Sequence, residues 1–447
     1  MHLFAQKALL QDGWAENVRL TLAAGKIAAI EKGVAPAPGD ERHDILVPGM
    51  GNLHSHAFQR AMAGLAEVRG PSADSFWSWR NLMYRFALSI RPDQVEAVAA
   101  QLYMEMLEAG FTRVGEFHYL HHDRDGSAYA NRAELAERIV AASAQTGLHL
   151  TLLPVFYAHS GFSGQAPVEG QRRFIHSLDG FAALMEASGD LVARLPGAKL
   201  GLALHSLRAV TPEELRHLLA LYPTGPVHMH IAEQVKEVED CLAWSGQRPV
   251  EWLLDHAPVN ERWCLIHATH MTPQETAAMA ATGAVAGLCP ITEANLGDGI
   301  FPATPFLAAG GRFGIGSDSN IVISVAHELR QMEYSQRLHE RARNVIADAG
   351  HSTGRRLFDA ALQGGDAALG AGSTLQPGAD ADLVTLKADA AFTKNHDQWL
   401  DHWLFTDAVR VDCVWTAGVK RVADGRHLGR KAIVERFRST LQELVAE

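Results

Sequence analysis

Short apolar runs rich in Val, Ile and Leu recur along this chain, and between many of them lie stretches with the three-to-four-residue spacing of amphipathic helices. The two ends differ from the middle. Residues 1–46 carry alternating strands at 18–22 and 26–30 separated by glycine turns, a small β-domain begun and left unfinished. Residues 371–447 complete it, with strands at 378–386, 409–415 and 419–422 and a terminal helix. Between these flanks, residues 47–370 alternate strand and helix.

The first barrel strand is read from the buried run 44–47, which continues through Pro48, Gly49 and Gly51 to His54 and His56. Further strands are expected at 111–117, 148–156, 199–205, 226–231, 263–267, 284–289 and 312–316. Helices fall between most of them. Pro92 opens one that runs to Glu108 and stops at Gly110, another spans 133–146, and Thr211-Pro212 caps a third. Eight strands with helical crossovers predict a parallel (β/α)8 TIM-like barrel, joined to a small β-sandwich built from both chain ends. A doubly wound dinucleotide fold is disfavoured, because no G-x-G-x-x-G follows a strand with an acidic residue downstream. The aromatic-rich stretch 75–84, in the long connection after the first strand, reads as a folded lid.

Composition narrows the function. The chain has 447 residues, 47% hydrophobic and 20% charged, ordinary for a soluble protein with one barrel and a smaller domain. A formal net charge of -11 argues against nucleic acid as a partner. Cys241, Cys264, Cys289 and Cys413 form no C-x-x-C pair and read as reduced core thiols. With no signal peptide and no membrane-spanning run, a cytoplasmic location is expected.

The polar residues that interrupt the strands sit at their C-terminal ends: His54 and His56, His228 to Glu233, His267 and His270, Ser317 and Asp318. In a (β/α)8 barrel those ends meet at one rim. Three histidines and an aspartate suit zinc with one position open for water, which a bound ion activates near neutral pH. Glu233 and His267 are then available for proton transfer. His228 shares a face with His230 and His270 lies near His267, so each is an alternative occupant of a ligand position.

These motifs resemble the metal-dependent amidohydrolase superfamily: His-x-His at 54 and 56, His230-x-x-Glu233, His267 and Ser317-Asp318, together with the split β-domain around Gly378-Ala379-Asp380-Ala381-Asp382-Leu383. The resemblance covers essentially the whole chain and is nearest the mononuclear deaminase branch. It implies that His54, His56, His230 and Asp318 hold one Zn2+, with Fe2+ able to use the same donors, and that Glu233, His267 and Asp318 act in catalysis. The fourth strand ends in His205 and has no lysine to be carbamylated between two metals, which supports a single ion.

Two arginines bear on the substrate. Arg208 lies just beyond the fourth strand and Arg80 in the lid, and two guanidinium groups point to a dicarboxylate. The closer similarity is to the formimidoylglutamate deiminase family, through Gln59, Arg80, Tyr119, His205 and Arg208, which it implies hold the glutamate portion of the substrate. The implied reaction is hydrolysis of N-formimidoyl-L-glutamate, a step of histidine degradation, to N-formyl-L-glutamate and ammonia, by a homodimer. The alternatives are an aminohydrolase of a purine, pterin or triazine ring, or an inactive scaffold.

Overall fold

A computed structural model of the chain describes residues 1–70, 74–388, 393 and 395–446. Eight parallel strands form the barrel in chain order: Met50–Ser55, Phe111–His118, His149–Phe156, a fourth in two pieces at Lys199–Leu200 and Leu202–Leu204, Val227–Ile231, Trp263–His267, Val285–Leu288 and Arg312–Ile315. Most are buried along their whole length, as parallel strands covered on both faces must be. The ring closes between first and last. Ser55 bridges Asp318 in parallel register, His54 O accepts from Ser317 N and Asp318 N at 3.1 and 3.0 Å, and His56 N donates to Asp318 O at 3.1 Å.

Buried polar side chains reinforce that seam. Asn52 Nδ2 donates to Ser317 Oγ at 2.7 Å, Ser317 Oγ donates to Asn320 Oδ1 at 2.6 Å, and Asn320 Nδ2 donates to His56 O at 3.0 Å. Each is enclosed, so each must find its partner inside the protein.

The helices form where their start signals lie. Pro92–Glu108 begins with its proline, and Pro212–Leu221 carries a capping box in which Thr211 Oγ1 accepts from Glu214 N and the Glu214 carboxylate accepts from Thr211 N. The expected lid is a helix, Phe76–Ser89, whose Ser75 side chain accepts from Trp77 N at 3.3 Å.

One expectation is corrected. The run from residue 44 to His56 is two strands. Glu41–Pro48 belongs to the small domain, and Met50–Ser55 alone enters the barrel. The chain turns at Gly49, whose N donates to Asp382 O at 3.2 Å. A Cβ there would lie 2.2 Å from Thr112 Cγ2, so no other residue fits without displacing the second barrel strand.

The small domain is one continuous sheet that doubles back on itself, in the order Arg426–His427, Val419–Ala423, Val409–Thr416, Leu383–Ala388, Glu41–Pro48, His2–Leu10, Gly13–Ala23, Lys26–Glu31. Its layers pack Leu3, Ala5, Val18 and Leu20 against Leu383, Cys413 and Trp415. The pattern did not reveal His2–Leu10. The segment before Leu383 is a turn rather than strand, held to the other layer by Gly378 N to Ile27 O and Ala381 N to Gly25 O bonds of 2.8 and 2.9 Å. All four cysteines are free and buried, and among the described residues no helix is long and apolar enough to cross a membrane.

Helix Thr353–Leu369 closes the N-terminal end of the barrel. Thr151 Oγ1 donates to Leu369 O at 3.1 Å, and a Cβ on Gly364 would stand 1.8 Å from Phe313 O. Gly364→Ala must therefore lift the helix off the last strand, and we expect it to lower the unfolding free energy by about 3 kcal/mol. Urea denaturation measures this. Gly372→Ala, where a Cβ meets nothing within 4 Å, is the control and should shift stability by less than about 0.5 kcal/mol.

Candidate active site

The barrel rim is strained where it carries polar side chains. Ala232, His267, Ala268, Asp318 and Asn320 all adopt left-handed φ values, 49°, 68°, 48°, 44° and 60°. Each costs about 1–3 kcal/mol, and non-glycine residues keep such conformations only where surrounding bonds hold them. Here the seam holds Asp318 and Asn320, and Ala268 N donates to Ile231 O at 3.0 Å.

Four buried side chains from three strand ends converge. Asp318 Oδ1 lies 3.4 Å from His54 Nε2 and 3.2 Å from His56 Nε2, and His54 Nε2 lies 3.0 Å from His230 Nε2. The other ring nitrogens of His56 and His230 donate to Phe117 O and His205 O at 3.0 and 2.9 Å, which leaves each Nε2 a lone pair aimed at the common centre. Burial holds His54 down to about 3, and His230 well below its usual value with the neighbouring imidazoles adding to the effect. Burial works against a charge on Asp318, yet the neighbouring His54 and His56 outweigh it and hold its carboxyl well below the usual range. Neutral imidazole lone pairs and a carboxylate in van der Waals contact repel unless a cation lies between them. The donor set therefore fits a divalent metal, with separations close to the roughly 3.3 Å edge of a tetrahedral zinc site.

Around this cluster stand the proton-bearing groups. His267 Nε2 is 3.8 Å from Glu233 Oε1 and 3.8 Å from Asp318 Oδ2. Its Nδ1 faces Glu293 Oε1 at 3.3 Å, and that oxygen also accepts from Cys289 N at 2.9 Å. Burial disfavours the imidazolium, but Glu233, Glu293 and Asp318 outweigh it and raise His267 to about 10. Burial, with Asp318 nearby, lifts Glu233 to about 7 against the pull of His267 and Arg208. The turn that carries Glu233 is gripped by Glu237, whose carboxylate accepts from Ala232 N and Glu233 N at 3.1 and 3.3 Å.

One cavity opens onto the cluster, and Gln59, Arg80, Tyr119, His205 and Arg208 all line it with His56, His230, Glu233, His267 and Asp318. Gln59 Nε2 donates to Tyr119 Oη at 2.9 Å while Gln59 Oε1 is buried without a partner. The Nε atoms of Arg80 and Arg208 are likewise buried with no acceptor among the described residues. Arg80 instead lies over Trp77 and Tyr84, 4.5 and 5.5 Å from their ring centroids. The two alternative ligands point elsewhere: His228 Nε2 meets Ala368 O at 2.8 Å and His270 Nε2 meets Asp298 O at 2.9 Å.

Sequence reasoning missed Glu237 and Glu293, which read as ordinary first-turn acids of short helices, and the lining residues Tyr84, Tyr157 and Phe174. The only cue was Glu293 lying four residues after Cys289, close behind the seventh strand.

Residues 45–420 match the amidohydrolase family, and residues 1–44 match the N-terminal domain of formimidoylglutamate deiminase HutF. The chain is 53% identical to a formimidoylglutamate deiminase of Pseudomonas aeruginosa, with 99% of each chain covered. A crystal structure of an amidohydrolase from Brucella melitensis superposes with a TM-score of 0.97 at 60% identity, covering 99% of both chains. An adenosine deaminase from Xanthomonas campestris with bound zinc shares the fold, with a TM-score of 0.83 at 22% identity over 100% of this chain and 98% of that one. With the barrel, the rim constellation and both family matches in agreement, this chain belongs to the metal-dependent amidohydrolase family and, within it, to the formimidoylglutamate deiminases.

Proposed function

We propose that the protein hydrolyses N-formimidoyl-L-glutamate to N-formyl-L-glutamate and ammonia. The observation that carries the substrate assignment is the pair of guanidinium groups, Arg80 and Arg208, whose buried Nε–H groups have no acceptor among the described residues and which face the same cavity as the His/Asp cluster. A buried donor left without a partner is costly, and a dicarboxylate ligand supplies the missing acceptors. A purine, pterin or triazine ring offers no carboxylate to either arginine.

In this reading His54, His56, His230 and Asp318 hold one divalent cation, Zn2+ by the character of the donors, with Fe2+ compatible. When bound, the cation supplies the Lewis acidity that makes a water nucleophilic at neutral pH. Arg80 and Arg208, with Gln59, Tyr119 and His205, clamp the two carboxylates and present the formimino carbon to the cluster. Asp318, held ionised, accepts the proton lost as water adds to that carbon. His267, 3.8 Å from both Asp318 and Glu233, relays it. Glu233, with its carboxyl near neutrality, delivers a proton to the departing nitrogen, which leaves as ammonia rather than as an amide anion. Water contributes the new carbonyl oxygen, and the C–N bond to the imino nitrogen breaks.

Metal-loaded protein incubated with N-formimidoyl-L-glutamate should release ammonia, and a chelator should abolish the release until Zn2+ is returned. Absence of ammonia from fully metallated enzyme would overturn the assignment, and release from a heterocyclic amine instead would move it to the ring aminohydrolases. Arg208→Ala removes a charged hydrogen-bonding partner worth about 1.5–3 kcal/mol, so kcat/KM should fall roughly 10- to 150-fold, with little change if the substrate lacks carboxylates. Glu233→Gln should cost about 10²- to 10⁴-fold in kcat while metal content, measured by elemental analysis, stays at the wild-type level.

A further inference from the structure

Outside the barrel, the small domain brings together a second set of donors. The ligand atoms of His43, Asp412 and Cys413 all lie within 4.8 Å of one another. His43 Nδ1 is 3.5 Å from Asp412 Oδ2, and Cys413 Sγ is 3.6 Å from the same oxygen. Consecutive residues of a strand normally point to opposite faces. Asp412 and Cys413 share one because the ladder slips there: Cys413 pairs with Thr385 and Val411 with Leu386, leaving Asp412 as the extra residue of a β-bulge.

Two features separate this cluster from an ion pair beside a core thiol. First, 3.5 Å is long for a direct N–H···O bond, whose usual range is about 2.7–3.2 Å. For a tetrahedral ion with nitrogen, oxygen and sulfur ligands, the expected edges are roughly 3.3–3.6 Å. The cluster at the barrel rim, with edges of 3.0–3.4 Å, shows the same kind of spacing within this molecule. Second, the other nitrogen of His43 is already engaged: Nε2 faces Glu41 Oε1 at 3.1 Å, and Glu41 is in turn paired with Lys420. A carboxylate on the far nitrogen is the arrangement that fixes the tautomer of a metal-binding histidine and turns its free lone pair toward the ion.

We propose that His43 Nδ1, Asp412 and Cys413 Sγ form a second metal site, selective for Zn2+ or a similar borderline cation, with water in the remaining position. Binding replaces the Cys413 thiol proton, which passes to solvent, so the thiolate and the Asp412 carboxylate balance the dication. The ion would clip the N-terminal layer of the small sheet, through His43, to the C-terminal layer, through Asp412 and Cys413. It would do so on the very strand that leads through Gly49 to His54 and His56. It is a structural tie and takes no part in deimination.

Cobalt substitution of the full-length protein tests this. Wild-type protein should bind a second equivalent of Co2+ and show a thiolate-to-cobalt charge-transfer band in the near ultraviolet. Cys413→Ser and His43→Gln should each lose the second equivalent and the band, yet keep ammonia release from N-formimidoyl-L-glutamate. Two variants on different strands guard against one that fails to fold. A single equivalent in the wild type, or a band that survives Cys413→Ser, overturns the site, and neither result depends on which substrate the barrel accepts.

Discussion

Three imidazole nitrogens and a carboxylate, buried at one end of the barrel and 3.0–3.4 Å apart, have the spacing of ligands to one cation, and much of the rim architecture serves to keep them there. The closing seam does the first part. Because Asp318 pairs with the backbone on either side of Ser55, barrel closure and assembly of the donor set are the same event. The chain of Asn52, Ser317 and Asn320 bonds converts that seam from a weak edge into an enclosed hydrogen-bonded network. Strained φ values at Ala232, His267 and Asp318 follow from the same demand, since side chains must leave the strand ends at angles a regular strand does not provide.

A second layer of carboxylates holds Glu233 and His267 in place. Glu237 holds the turn that aims Glu233, and Glu293 holds His267 on the side away from the cluster. Glu237 comes from the helix that follows the fifth strand, Val235–Ser245, whereas Glu293 comes from the helix that follows the seventh, Pro290–Leu296, and reaches back to His267 at the end of the sixth. Burial raises Glu233 to about 7, and the carboxylates crowded round His267 raise that imidazole to about 10.

Beyond the cluster, Arg80, Arg208 and Gln59 each bring to the cavity a buried polar atom without a partner among the described residues. Arg80 also rides on the lid helix, its guanidinium resting on Trp77 and Tyr84, so the lid brings charge as well as aromatic cover to the pocket.

The amino-acid sequence by itself determined the barrel and named side chains that gather at its rim. Strand-helix alternation predicts the closed barrel, and His54, His56, His230, His267 and Asp318 are legible together because that barrel brings the C-terminal ends of their strands to one rim. Tertiary structure alone decided the rest. An unbroken apolar run could not disclose that the chain changes domain at Gly49, because the reason lies in Thr112 on the neighbouring strand. His228 and His230 have the same local pattern, and only the packing of helix Thr353–Leu369 beneath the barrel turns the first toward Ala368 O and leaves the second to the rim. Glu237 and Glu293 look in sequence like helix-capping acids, since what distinguishes them is contact with backbone and side chains brought near by the fold. Patterning acts through local periodicity, while roles that depend on which side chains meet across the barrel are set by packing that no local pattern encodes.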